Sequence, residues 1–129
     1  MNLKKVLIID DEAIFAQCIK MNLELSNRFI VHTANSGKAG IAMAKKIKPD
    51  IILLDITMPH MDGLQVLAAL KNDAMTISIP VVMLSALGEE ETKIKASSLY
   101  SQYYITKPVE SDKLIEKIDW VLGVDKGIR

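Results

Sequence analysis

Four places in the chain carry the residue types that chemistry needs. Asp10 and Asp11 follow the apolar run Val6-Leu7-Ile8-Ile9, and Asp55 ends the run Ile51-Ile52-Leu53-Leu54. Ser85 ends Val81-Val82-Met83-Leu84, and Lys107 comes just after Tyr103-Tyr104-Ile105. Polar groups at the ends of apolar runs lose hydration unless they are paired or hold an ion. Three converging carboxylates repel one another, and a divalent cation removes that repulsion. Oxygen donors with no His or Cys nearby in sequence favour Mg2+. Each residue also has a plainer reading. Asp10 and Asp11 would cap a helix with Glu12 in its first turn, and Asp55 would be a turn residue ahead of Pro59. Ser85 would be a loop hydroxyl and Lys107 a solvated lysine. The recurrence of polar groups at every clear run end favours a site.

The elements that must position these residues follow from the hydrophobic period. Continuous four-residue apolar runs predict strands buried on both faces, hence a parallel sheet covered by helices. Phe29-Ile30-Val31 and Tyr103-Tyr104-Ile105 are shorter and belong nearer the edges. Between the runs the period becomes helical. Ile14, Cys18, Met21 and Leu25 form one apolar stripe, expected to be buried, with Cys18 inert inside it. A second helix spans Ser36 to about Lys46 with Ala39, Ala42 and Met43; Gly40 weakens it by about 1 kcal/mol against Ala. Lys48-Pro49-Asp50 stops it. Asp62 and Gln65 have capping-box spacing ahead of Leu64, Leu67 and Leu70. A fourth helix from Glu89 to about Leu99 has few apolar anchors and leans on the pairs Glu89/Lys93 and Glu91/Lys95. Leu114, Ile118 and Val121 mark the last helix, which Gly123 ends. The order is β-α five times over, with right-handed crossovers placing helices on both faces. Ligands of such sheets bind at the carboxyl ends of the strands.

Composition narrows the function. The chain has 129 residues, enough for one domain, with 16 basic and 16 acidic side chains. A zero net charge excludes a whole-domain nucleic-acid footprint, and 5% aromatics argue against a base-stacking surface. One cysteine makes neither an internal disulfide nor a four-thiolate zinc site. The apolar start is too short for a signal peptide and no run approaches a membrane span, so the cytoplasm is expected. Residues 1–123 are read as the domain and 124–129 as a tail or the start of a linker.

The joint pattern resembles the receiver domain of two-component response regulators. Val6-Leu7-Ile8-Ile9-Asp10-Asp11 is similar to the family's opening strand and acidic pair. Leu53-Leu54-Asp55-Ile56-Thr57-Met58-Pro59-His60-Met61-Asp62-Gly63 resembles the segment around its phosphoacceptor. Val82-Met83-Leu84-Ser85-Ala86 resembles the fourth strand and switch hydroxyl, and Tyr104-Ile105-Thr106-Lys107-Pro108 the fifth strand and its ending. The likeness runs from about Lys4 to Leu122.

The resemblance implies a flavodoxin-like (βα)5 three-layer fold with strand order 2-1-3-4-5. It implies Mg2+-dependent transfer of a phosphoryl group to Asp55 from a histidine kinase or histidine phosphotransfer protein. Asp11 would bind Mg2+ directly, Asp10 mainly through water, and Asp55 and the Thr57 carbonyl would complete the set, with Mn2+ as a substitute. Ser85 and Lys107 would contact phosphoryl oxygens, with backbone N–H groups of Ile56, Thr57 and Ala86 as further donors. Ser85 and Tyr104 would form the switch. The readout surface would be the fourth helix, fifth strand and fifth helix, taking an output domain, a partner protein or a second copy. No direct nucleic-acid or membrane binding is expected of this domain. The domain would not be a conventional enzyme, though it would phosphorylate itself from a small donor and lose the group again.

Two features depart from the family pattern. Tyr100-Ser101 stands where Gly-Ala is common after the fourth helix, and Leu87 offers no hydrogen bond to an attacking water. His60, beside Pro59, reads as a surface histidine with a tuning role at the site mouth as the alternative; His32 reads as structural. Rival functions are a nonphosphorylated interaction module and an aspartyl phosphohydrolase. The second would want a general acid where Thr57 stands, a poor proton donor at neutral pH. A flavodoxin-like electron carrier is disfavoured because Asp10-Asp11-Glu12 would repel a phosphate.

Overall fold

In a computed structural model, which describes residues 2–86 and 103–124, the apolar runs are the strands of one parallel sheet. These are β1 (Lys4–Ile9), β2 (Phe29–Ala34), β3 (Ile51–Asp55), β4 (Val81–Ser85) and β5 (Tyr103–Thr106), in the order β2-β1-β3-β4-β5. All five residues of β3 and all five of β4 are buried, which is why these runs do not alternate. The shorter runs are the two edges, as expected. Adjacent registers set Leu54 opposite Met83 and Met83 opposite Tyr104.

The described helices are α1 (Ala13–Leu25), α2 (Gly37–Ile47), α3 (Gly63–Lys71) and α4 (Ser111–Leu122). The helix predicted over Glu89–Leu99, together with Leu87 and Tyr100-Ser101, lies outside the described residues, so the predicted fifth helix is α4 here. Two cores flank the sheet. Leu7, Ile9, Leu54 and Met83 meet α2 and α3 on one face, whereas Ile8, Leu53, Val82 and Leu84 meet α1 and α4 on the other. Each fully buried aliphatic side chain contributes about 1.5–3 kcal/mol relative to exposure, so the central strands dominate the hydrophobic stabilisation.

Helix ends match the sequence reading well. Asp62 Oδ1 accepts from Gln65 N–H at 2.9 Å, and Gln65 Oε1 accepts from Asp62 N–H at 3.0 Å. Gly123 closes α4 with φ +69°. Leu114 and Ile118 are buried, as their stripe predicted. Arg28 Nη2 pairs with the buried Asp119 Oδ1, tying α4 to the entry of β2.

Two helix faces correct the sequence reading. The stripe Ile14, Cys18, Met21 and Leu25 faces outward: Ile14 is 82% and Leu25 77% exposed, and Cys18 is exposed as well. Ala16, Ile19 and Leu23 are buried instead. α1 carries two apolar stripes, and polar anchors select the rotation. Glu24 Oε2 accepts from the Val31 N–H at 3.1 Å and turns that flank toward β2. In α2 the buried positions are Gly37, Gly40 and Ala44, while Ala39 and Ala42 are exposed. Gly40 is a packing requirement rather than a weakness, because a Cβ there would lie 2.5 Å from Ile9 Cδ1.

Candidate functional site

The carboxyl ends of β1, β3 and β4 and the segment after β5 converge on one rim. Asp10 emerges from β1, where its N–H donates to the Ala34 carbonyl at 3.0 Å. Asp10 Oδ1 accepts from the Glu12 N–H at 2.9 Å, a local turn that aims the second oxygen at the rim. Asp55 ends β3 and is only 4% exposed. Carboxylate oxygens of Asp10, Asp11 and Asp55 all lie within 4.8 Å of one another. Asp10 is fully buried and Asp11 exposed, so Asp11 is the member of the cluster that meets water.

Lys107 supplies the opposing charge. Its Nζ lies 3.1 Å from Asp10 Oδ2, 3.5 Å from Asp55 Oδ1 and 2.9 Å from Glu12 Oε1. It also sits 4.4 Å from the centroid of the Phe15 ring. Burial pulls the Lys107 ammonium down, but hydrogen bonds to Glu12 and Asp10 and the charges of Asp10 and Asp55 outweigh it. The group is held above the usual lysine range and stays charged. Asp55 goes the other way. Burial first and the Asp10 charge second raise it to about 7, against the smaller lowering effects of Lys107 and the Thr57 N–H. Lys107 thus only partly offsets the burial of Asp55, and further positive charge at the site would favour its ionised form.

Three clustered carboxylates, all hard oxygen donors, fit a Mg2+-type ion. Asp10 Oδ2, buried and 3.1 Å from Lys107 Nζ, keeps a second lone pair for such an ion or its water.

The loop after β3 approaches the site closely because residue 63 is glycine. A Cβ there would lie 2.3 Å from the Asp55 carbonyl oxygen and 2.6 Å from Ile56 Cα. The Gly63 N–H donates to the Ile56 carbonyl at 2.7 Å, folding α3 back onto the strand end. Within this loop His60 has φ +66°, and the Met61 N–H donates to the Pro59 carbonyl at 2.7 Å. Exposed His60 borders the same small hollow as Asp11. His32 is partly buried within β2, away from this rim.

Of the predicted site residues, Asp10, Asp11, Asp55 and Lys107 meet directly. Ser85 is adjacent: its carbonyl accepts from the Lys107 N–H at 2.7 Å, and its buried Oγ has no hydrogen-bond partner among the described residues. Side chains alternate along a strand, so Ser85 shares a sheet face with Met83, against which Tyr104 stands on β5. Tyr104 packs, partly buried, on the core beneath that face. The Thr57 N–H serves Asp55, and Ala86 lies exposed just beyond Ser85. One expected donor is corrected. The Ile56 N–H donates to the Leu84 carbonyl at 3.1 Å, extending the β3-β4 pairing, and is not available to a ligand.

Sequence reasoning missed Glu12 as a partner of Lys107, and Phe15 beneath it. The signal was present in an acid directly after the Asp pair and an aromatic three residues on, one helical turn apart.

A family model described as the response regulator receiver domain matches residues 6–119. The phosphate regulon transcriptional regulatory protein PhoB of Pseudomonas aeruginosa is 36% identical over 119 residues, covering 92% of this chain and 52% of that protein. Protein PilH of the same species is 33% identical over 119 residues, covering 92% of this chain and 98% of PilH. The chain spans about half the length of several curated relatives it matches, with 47% of RpaA of Synechocystis covered at 35% identity over 88% of this chain. Among solved structures, the chemotaxis protein CheY4 of Vibrio cholerae superposes with TM-score 0.84 at 25% identity, covering 93% of this chain and 99% of that one.

Proposed function

The chain belongs to the response regulator receiver domain family, and from that membership we propose that it is a Mg2+-dependent phosphoacceptor whose nucleophile is Asp55. The observation that carries the reading is the gathering of Asp10, Asp11 and Asp55 carboxylates within 4.8 Å of one another, with the Lys107 ammonium 3.1 Å from Asp10 and 3.5 Å from Asp55. Asp11, Asp10, Asp55 and the Thr57 carbonyl would hold the ion, which supplies charge neutralisation of the phosphoryl oxygens and of Asp55.

The chain's own residues then do the positioning. An Asp55 carboxylate oxygen attacks phosphorus in line with the leaving group. The new O–P bond forms as the bond from phosphorus to the donor atom breaks, and the electron pair leaves with that donor atom. A histidine nitrogen of a kinase or phosphotransfer protein, or the oxygen of acetyl phosphate, would serve. Lys107 follows the negative charge onto the phosphoryl oxygens. The Ser85 hydroxyl, buried without a partner among the described residues, gains an acceptor when phosphate arrives. Its movement opens space on the face it shares with Tyr104. The readout surface would therefore include β5 and α4, together with the helix predicted over Glu89–Leu99. Residues 1–123 would form this unit, operating in the cytoplasm. Output would pass to an attached domain or a partner protein, with self-association as an alternative.

Incubation with labelled acetyl phosphate with and without Mg2+ tests the reading. Incorporation of one phosphoryl group only when Mg2+ is present is expected. Incorporation that ignores Mg2+, or none at all, would contradict it.

A further inference from the structure

We propose that Glu12 is a positioning residue for Lys107, holding its ammonium toward the outer edge of the site in the resting domain and so restraining phosphoryl uptake. The proposal rests on the phosphoacceptor reading and concerns the regulation of that same site.

The distances carry the argument. Of the three carboxylates that the described residues place around Lys107 Nζ, Glu12 is nearest at 2.9 Å, while Asp55 is farthest at 3.5 Å. The nearest partner is thus the one acid outside the clustered set of Asp10, Asp11 and Asp55. Phe15 lies one turn beyond Glu12 on α1, with its ring 4.4 Å below the ammonium. An anion and an aromatic face on the first turn of one helix therefore form a seat for one cation.

The local role of Glu12 supports this assignment. Glu12 occupies the N-cap of α1, yet its side chain makes no capping bond. Ser, Thr, Asp or Asn would cap better there. The Glu12 carboxylate instead reaches Lys107, across a groove of about 490 Å3 bordered by Phe15, Ala86 and Val109. Burial also distinguishes the three partners. The Glu12 side chain is 63% exposed, whereas those of Asp10 and Asp55 are 0% and 6% exposed. Glu12 can turn to water and release the lysine, but the buried acids cannot.

A lysine ammonium has three protons to donate, and three carboxylates already compete for them. A phosphoryl group on Asp55 adds new acceptor oxygens. A proton must be redirected, and the exposed partner is the one that yields. Because exposed ion pairs are weak, the restraint is modest, about threefold to fivefold in rate.

The test is a double-mutant cycle on the full chain, following the rate of the Asp55 adduct from acetyl phosphate and Mg2+ by intact mass. Glu12→Gln should speed uptake about threefold to fivefold, and the gain should vanish in a Lys107→Ala background. An acceleration of the same size without Lys107 would mean only a general charge effect on an anionic donor and would overturn the proposal. So would an unchanged or slower rate in the single variant. The Lys107 ammonium nitrogen resonance is the second readout. In free Glu12→Gln it should move toward its position in the phosphorylated wild type, and an unmoved resonance overturns the proposal. If wild type itself forms no adduct at Asp55, the phosphoacceptor reading fails first. An adduct in wild type with no Glu12 effect removes this proposal alone.

Discussion

The Cα of Gly63 lies so close to the carbonyl oxygen of Asp55 that a Cβ would stand 2.3 Å from it. The obstructing atoms are backbone, which cannot rotate aside. Gly63→Ala should therefore push the β3-α3 loop off the strand end and cost about 1–3 kcal/mol. At Gly40 the obstructing atoms are all side chain, Ile9 Cδ1, Cγ1 and Cγ2 at 2.5, 2.7 and 2.8 Å, so the Ile9 side chain must shift, and the packing cost is partly offset by the about 1 kcal/mol of helix propensity that Ala regains. Urea melts should find Gly63→Ala the more damaging of the two. The reverse order would place the tight contact elsewhere.

The two faces of α1 separate cleanly in stability. Leu23 is fully buried, and Leu23→Ala should cost about 2–5 kcal/mol. Ile14 is 82% exposed, so Ile14→Gln should stay within about 0.5 kcal/mol of wild type. Thermal or denaturant melts of the pair check the corrected rotation of the helix. A large loss at Ile14 would restore the outward stripe to the core.

That rotation shows what was legible in the sequence and what was not. Strands β1, β3 and β4 could be read because each is buried on both faces, so no choice of face is needed. The Asp62-Gln65 box and the Gly123 stop could be read because capping depends on local spacing. The α1 face could not. Both of its stripes are apolar, and the decision lies in a contact between Glu24 and the Val31 N–H, residues of different elements. The site was legible as a set of strand ends. Its inner geometry was not, because Glu12 reaches Lys107 across 95 positions of chain and the Ile56 N–H is engaged by β4.

Asp55 should make the metal-free domain sensitive to pH in a direction opposite to most aspartates. Its folded value is raised to about 7 from 3.8, so between these limits the folded state binds the extra proton. Stability from this group is therefore present at acidic pH and lost as pH rises toward and through 7. Without divalent ions, wild type should lose more stability between pH 5 and pH 8 than Asp55→Asn does. Mg2+ should narrow that difference by favouring the ionised carboxylate. Parallel slopes for the two proteins without Mg2+ would show that Asp55 titrates normally.

Ser85 predicts a separation of stability from switching. Its buried Oγ has no partner among the described residues, so Ser85→Ala removes a group that is unsatisfied there. The unphosphorylated variant should be as stable as wild type or up to about 1 kcal/mol more stable. Phosphorylation should still occur, with a smaller change in the Tyr104 resonances. A full-sized Tyr104 response in Ser85→Ala would show that the two residues are not coupled through the shared face.

The central claim is that Asp55 accepts a phosphoryl group in the charge arrangement made by Asp10, Asp11 and Lys107. Intact-mass spectrometry after incubation with acetyl phosphate and Mg2+ tests it most directly. The account predicts one phosphoryl adduct on wild type, discharged on standing, and none on Asp55→Asn. The same adduct on Asp55→Asn, or its absence from folded, Mg2+-supplied wild type, would contradict it.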